Sequence, residues 1–354
     1  MEAAGEEEGF KITRNHPNGR RSARKRIDRL QSLLGEHGRD IDQQAGLARF
    51  KVWQKLQPQL IRLRRGLVLR QDRQDSRASP IRVLAASKSA AVQLLLVSLF
   101  ENQCRRQGRD SDRTPIPLAR PKVETDTAWL YLLALPTVDQ RSRRTEARSP
   151  TANRVAQIKS ALGRLDKLGR VELKPPGTRG RFEQFRLLNE AADNRAGNIY
   201  YKTPPSNEFT IDVPVEFFLN GWVHALADNE IIAYLFLLHQ AKTRPEENSS
   251  PGGMPLPAFA WTHAFESDRA HEAYRFLSRF GLVRITRDIR RRADGTLVGL
   301  KEGLEEDVVI EPHRFWVDLT ALAKPALPAV VSGLTGFLDG EDLDSANGYG
   351  SFFT

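Results

Sequence analysis

Cysteine is nearly missing from this sequence. Cys104 stands alone, which excludes an internal disulfide framework and any cysteine-based zinc finger. No run approaches the roughly 18 uninterrupted apolar residues that a membrane-spanning helix needs. A secretory leader is not expected, because Glu2, Glu6, Glu7 and Glu8 crowd the place where a signal peptide is basic and then apolar. No Gly-x-x-x-x-Gly-Lys-Ser/Thr loop occurs, so P-loop chemistry is unsupported. The histidines are scattered; His263 and His271, the closest pair, lack a helical ligand spacing and read as surface or capping residues. These absences lead to an expectation of no metal, no cofactor and a cytoplasmic location.

Positive charge is what the chain has in excess. The 354 residues carry a formal net charge of +10 with 40% hydrophobic content, so this is a globular composition with a basic surplus, which points to a polyanionic partner. The surplus is local. Residues 11–80 hold 18 Lys/Arg against 6 Asp/Glu, so a single segment accounts for nearly all of it. Within it Arg20, Arg21, Arg24, Lys25 and Arg26 are dense enough to contact successive phosphates, each releasing condensed counterions; the alternative is a solvated basic helix or arm. Ile27, Leu30, Leu33 and Leu34 then recur at helical spacing. A second helix is expected from Asp40, with Trp53, Leu56, Leu60, Leu63 and Leu67 forming an apolar seam kinked at Pro58. That seam serves either to pack the arm on the next domain or to form a homodimer. Gln71 to Pro80 reads as a linker.

Downstream, Ala85 to Arg106 reads as one helix and Pro115 to Leu118 as an extended piece. A brief helix follows from Thr125 to Leu135. The Arg-rich loop with Arg143, Arg144 and Arg148 leads into Ser149-Pro150, a good cap and first-turn pair. In the helix so started, Val155, Ile158, Leu162, Leu165 and Leu168 form the predicted buried stripe, and Gly169 stops it. Strands are expected at 170–174 and 182–188 around the turn Pro175 to Gly180. The order helix, helix, capped helix, hairpin is that of a winged helix-turn-helix. Thr151, Asn153, Arg154, Gln157 and Arg164 then fall away from the stripe, with Asn and Gln suited to adenine and Arg to guanine. Arg179 and Arg181 sit at the wing tip, where Arg-Gly-Arg looks like the core of an AT-hook.

A second unit starts near Asn207, with a strand at 209–213, a strong helix at 228–244 and a second helix near 256–265. A helix capped by Ser267 and ended by Gly281 follows, then a strand at 282–288 and a basic tip of Arg290, Arg291 and Arg292. A return strand is expected at 307–310. Setting Gly169 on Gly281 superposes Leu162, Leu165 and Leu168 on Tyr274, Leu277 and Phe280, the mark of a diverged repeat. Asp268 and Glu272 on the later helix disfavour phosphate, so the second unit is either a reader or a domain for homodimerisation or another partner.

On these stretches the chain resembles tandem winged-helix DNA-binding proteins, including bacterial plasmid replication initiators. The resemblance spans about residues 85–320, and the basic segment before it departs from the pattern. It implies binding to repeated origin sequences, a monomer–dimer switch and no catalytic residues. The expected class is mainly α with small β-hairpins (α+β): a basic helical arm over 1–80, winged-helix domains over 81–195 and 196–325, and a flexible acidic tail over 326–354. The expected function is sequence-specific binding of double-stranded DNA without catalysis, as replication initiator or transcriptional regulator, in a protein associated with nucleoid or plasmid. The alternative is an adaptor that binds other proteins in a chromosome or plasmid maintenance complex. Asp166, Glu172 and Lys174 make a weak match to a metal-dependent nuclease motif, and Cys104 reads as an inert thiol.

Overall fold

The computed structural model describes residues 17–34, 40–69, 78–87, 89–105, 113–120, 127–137, 149–194, 197–261, 269–286 and 312–340. About 54% of this is helical and the strands pair only in small antiparallel sheets, an α+β composition. Among the described residues no helix is long and apolar enough to cross a membrane.

The chain opens with α1 (Pro17–Leu34) and α2 (Ile41–Trp53). Asp40 caps α2, its carboxylate accepting the Gln43 amide at 2.8 Å. The predicted helical seam ends there. Trp53 is the last residue of α2, its indole donates to the Pro58 carbonyl at 3.0 Å, and Leu60–Arg64 is strand β1. Leu63 and Leu67 are buried while Leu56 and Leu60 are exposed, so these residues do not share one helical stripe with Trp53.

The expected long helix at 85–106 is two helices, α3 (Pro80–Ala85) and α4 (Ala91–Arg105). Every residue of α4 from Ala91 to Cys104 is buried, the pattern of a helix packed on all sides. Burial also pushes the Cys104 thiol up, in keeping with an inert role. α5 (Trp129–Leu132) is shorter than expected, and α6 (Pro150–Lys167) begins where Ser149 accepts the Ala152 amide at 3.2 Å. Gly169 ends it with φ +64°, a conformation that a side chain would strain. Strands β2 (Val171–Glu172) and β3 (Arg186–Leu187) form the hairpin, and the Thr114 amide donates to the Phe185 carbonyl at 2.9 Å, laying the 113–118 stretch beside it.

Strand β4 (Thr210–Pro214) finds its partner far back in the chain. It pairs antiparallel with β1, Leu60 opposite Pro214 and Arg64 opposite Thr210. The other edge of β1 is closed by side chains: Gln103 donates to the Arg62 carbonyl at 2.8 Å and accepts its amide at 3.0 Å, and Glu190 accepts the Arg64 amide at 3.0 Å. Occupied in this way, the edge offers no template to another strand. This ladder crosses both boundaries drawn at 80 and 195.

Next come α7 (Glu216–Leu219), α8 (Trp222–Ala225), α9 (Asp228–Thr243) and α10 (Pro245–Ser249). Then follow β5 (Met254–Pro255), α11 (Ala258–Trp261) and α12 (Arg269–Arg279). Strands β6 (Val283–Thr286) and β7 (Arg314–Val317) complete a three-stranded sheet in the order β5-β7-β6. The return strand is therefore 314–317; residues 307–310 and Ser267 lie outside the described residues. Gly281, like Gly169, has positive φ (+79°). The last helix, α13 (Ala326–Asp339), corrects the expectation of a flexible tail from 326, because its buried Leu327, Val330 and Leu334 dock it against α1 and α12. One cluster of buried apolar residues, from Ala23 to Leu334, runs through all of these elements except α10.

Candidate nucleic-acid interface

Helix α6 buries Arg154, Ile158, Ala161, Leu162 and Leu165. The inward stripe is thus turned by about one residue from the predicted one, leaving Val155 and Leu168 at its margins. The turn is enough to take Arg154 off the outer face. The residue is 7% exposed, and its guanidinium donates to the Leu130 carbonyl at 2.6 Å and the Leu133 carbonyl at 3.2 Å, with burial lowering its pKa. The expectation that Arg154 reads a base is corrected: it anchors α5 to α6. Its neighbours do related work. Asn153 donates to Thr137 at 3.1 Å, Gln157 to Pro136 at 2.8 Å and Arg164 to Val83 at 3.3 Å, all backbone carbonyls. These half-buried side chains hold the 130–137 segment and α3 in place, and only Thr151 of the predicted helix set is exposed.

The outer face belongs to other residues. Thr151, Ala152, Lys159, Ser160 and Lys167 are exposed, and no acidic side chain is among the exposed residues of α6. Side-chain chemistry in the sequence favours Arg154 and Gln157 over Lys159, Ser160 and Lys167, which are marked only by helical position. Counting from the small residues Ala152, Ala156 and Gly163 to the face opposite Ile158 and Leu162 would have found them.

In the turn between β2 and β3, Pro175 to Gly180 are all exposed, Arg179 included. Arg181 is committed, pairing with Asp166 at 3.0 Å and lying over the Phe182 ring, so it braces the hairpin against α6 instead of reaching outward. Asp166 also accepts the Leu173 amide, while Glu172 accepts from Asn198 and faces Arg113 at 3.6 Å. The two carboxylates of the nuclease-like pattern are engaged by different partners.

The basic cluster of α1 divides. Arg21, Arg24 and Lys25 are exposed. Arg26 points inward as a bidentate partner of Glu230, at 2.6 and 2.7 Å, with the Ala225 carbonyl at 2.9 Å and the Phe280 ring beneath it. Arg20 donates to the Leu338 carbonyl of α13. Both are corrected from phosphate contacts to internal ties, Arg26 to the second unit and Arg20 to α13. Arg143, Arg144, Arg148, Arg290, Arg291 and Arg292 lie outside the described residues. In the second unit no described side chain from 273 to 280 is exposed; α12 packs against α9 and α13 over this stretch. No family model, curated protein or solved structure matches the chain.

Proposed function

We propose that the chain is a tandem winged-helix protein that binds double-stranded DNA without catalysis, through α6 and the turn between β2 and β3, as a replication initiator or transcriptional regulator. The observation that carries this reading is the outer face of α6. It presents two lysines and two hydroxyls with no exposed carboxylate, beside a fully exposed turn bearing Arg179. A helix about 10–12 Å across fits the major groove, and small Ala152 and Gly163 let its backbone approach closely. The element order supports the same reading, since helix, extended segment, short helix, longer helix and hairpin occur in both units. The covered stretch of α12 favours a reading in which the first unit contacts DNA and the second supports it.

Selection of bound duplexes from a random pool at physiological salt tests the proposal. Enrichment of a defined site is expected, palindromic for a dimeric regulator and directly repeated for an initiator. Lys159→Ala, Lys167→Ala and Arg179→Ala should each weaken all sequences and flatten the salt slope by about one. Binding that is indifferent to sequence and untouched by these changes overturns it.

A further inference from the structure

Phe209 is 54% exposed, the most open aromatic ring among the described side chains. It stands at the end of the β1–β4 ladder, one residue beyond the last pair, Arg64 opposite Thr210. Three elements meet around it. The Arg65 guanidinium, from the turn after β1, lies 5.9 Å from the ring centroid, and the Lys242 ammonium, from the last turn of α9, lies 6.0 Å away. The His239 ring of α9 meets it at 5.5 Å with the two planes perpendicular. Cations at this range are attracted by the negative face of an aromatic ring.

A single exposed phenylalanine is ordinary on a protein surface, but this one keeps unusual company. Leu60, the other exposed apolar side chain of the ladder, is at its far end opposite Pro214. The ring therefore stands among charged and polar groups and offers no apolar patch to the core of a protein interface. The carboxylates close by are engaged, Asp212 with Lys242 at 2.8 Å and Glu208 with Arg64 at 2.9 Å. Lys242 also donates to the Thr210 carbonyl at 3.0 Å and hydroxyl at 3.3 Å, so its ammonium is spent on holding this corner together. The exposed Arg65 is left out of both ion pairs.

We propose that Phe209 and Arg65 form a contact site for single-stranded nucleic acid, with an unpaired base stacked on the ring and a neighbouring phosphate on the guanidinium. Every base has a π-face, and an aromatic ring beside a cation holds single strands with little regard to sequence. Bases inside a duplex are already stacked on one another, so the ring selects unpaired strand. The net charge of +10 draws a polyanion toward the chain. The site is built by β1, β4 and α9 and uses no residue of α6. It therefore stands apart from the duplex binding proposed above and extends beyond it to a second form of nucleic acid.

The full chain is titrated into short labelled oligothymidylate and oligouridylate, with fluorescence anisotropy as the readout, and binding of either strand supports the site. Phe209→Ala should weaken binding roughly ten-fold, Phe209→Leu about as much, and Phe209→Tyr should retain most of the affinity, because stacking needs a ring and not merely an apolar side chain. Arg65→Ala should weaken binding and flatten the salt slope by about 0.7, the value for one phosphate of a single strand. A strand of the same length without bases tests the stacking in the native chain. It should bind roughly ten-fold more weakly than oligothymidylate, and Phe209→Ala should cost nothing further there. Equal affinity for the base-bearing and abasic strands overturns the proposal with no variant involved. So does a Phe209→Leu chain that binds like the native one, or a Phe209→Ala loss equally large on a blunt duplex. The deciding probes are single strands, so failure here leaves the proposed function standing, and a failed duplex selection leaves this site standing.

Discussion

Replacing Arg154 with Ala removes the donor from two buried carbonyls, those of Leu130 and Leu133. Leaving buried acceptors unpaired costs about 1–3 kcal/mol. The expected result is a lower denaturant midpoint, with any loss of DNA affinity disappearing under conditions where the variant is fully folded. Lys159→Ala, five positions on, should show the reverse: unchanged stability and weaker binding. The contrast separates a buried arginine from an exposed lysine, a distinction that composition alone does not draw. Titration supplies a second test at this scale. Burial, with Arg65 and Lys242 nearby, lowers His239 to about 4, and no partner meets its Nδ1. Below pH 6.5 the unfolded chain takes up a proton that the folded chain refuses. The associated stability is complete above that pH and drains away as pH falls toward 4. Urea midpoints at pH 7 and pH 5 should therefore fall further in the native sequence than in His239→Leu.

Among the elements, α13 makes the sharpest claim. A Cβ on Gly333 would stand 2.7 Å from Phe280 Cδ1 and 3.1 Å from the backbone carbonyl oxygen of Arg279, the last residue of α12. Gly333→Val should lift α13 from α12 at a cost of about 1–3 kcal/mol. Hydrogen exchange would then report lost protection in α13 and in α1, which packs along it. Helix ends were legible in the sequence for local reasons. Asp40, Ser149, Gly169 and Gly281 each act on their own neighbours, and each does as expected. Strand β1 was not legible. Leu60, Leu63 and Leu67 satisfy a helical spacing, and what selects a strand is pairing with β4 some 150 positions later. The candidate site suffered the same way: α6 was found, but its rotation is set by Arg154 reaching under α5, a tertiary contact. Helix α13 escaped because the acidic run from Glu341 to Asp344 marks the stretch as a tail until the α1 surface beside the helix is known.

At the scale of the molecule, the two units share an interior. The boundaries at 80 and 195 follow linker-like composition and element order, neither of which reports on burial. Helix α4 is buried from Ala91 to Cys104 and α9 from Glu230 to His239, so neither presents a solvent face. A run of rings connects them. Phe100 of α4 stacks on Phe218 at 4.9 Å, Phe218 meets Phe217 edge-on at 5.4 Å, and Phe217 stacks on Tyr234 of α9 at 5.9 Å. The β1–β4 ladder adds a second tie, and Arg64 adds a third by pairing with both Glu190 and Glu208 around it. A fragment of residues 81–195 would expose the α4 surface that α2, α8 and β1 cover and should be insoluble or molten. The full chain should unfold in one transition by circular dichroism and tryptophan fluorescence alike. Phe217→Ala opens a cavity in the ring run at a cost of about 3–5 kcal/mol. With a shared interior, both halves lose hydrogen-exchange protection together in this variant. Loss confined to residues after 196 would mean instead that the units fold independently and that the ring run is only a contact between them.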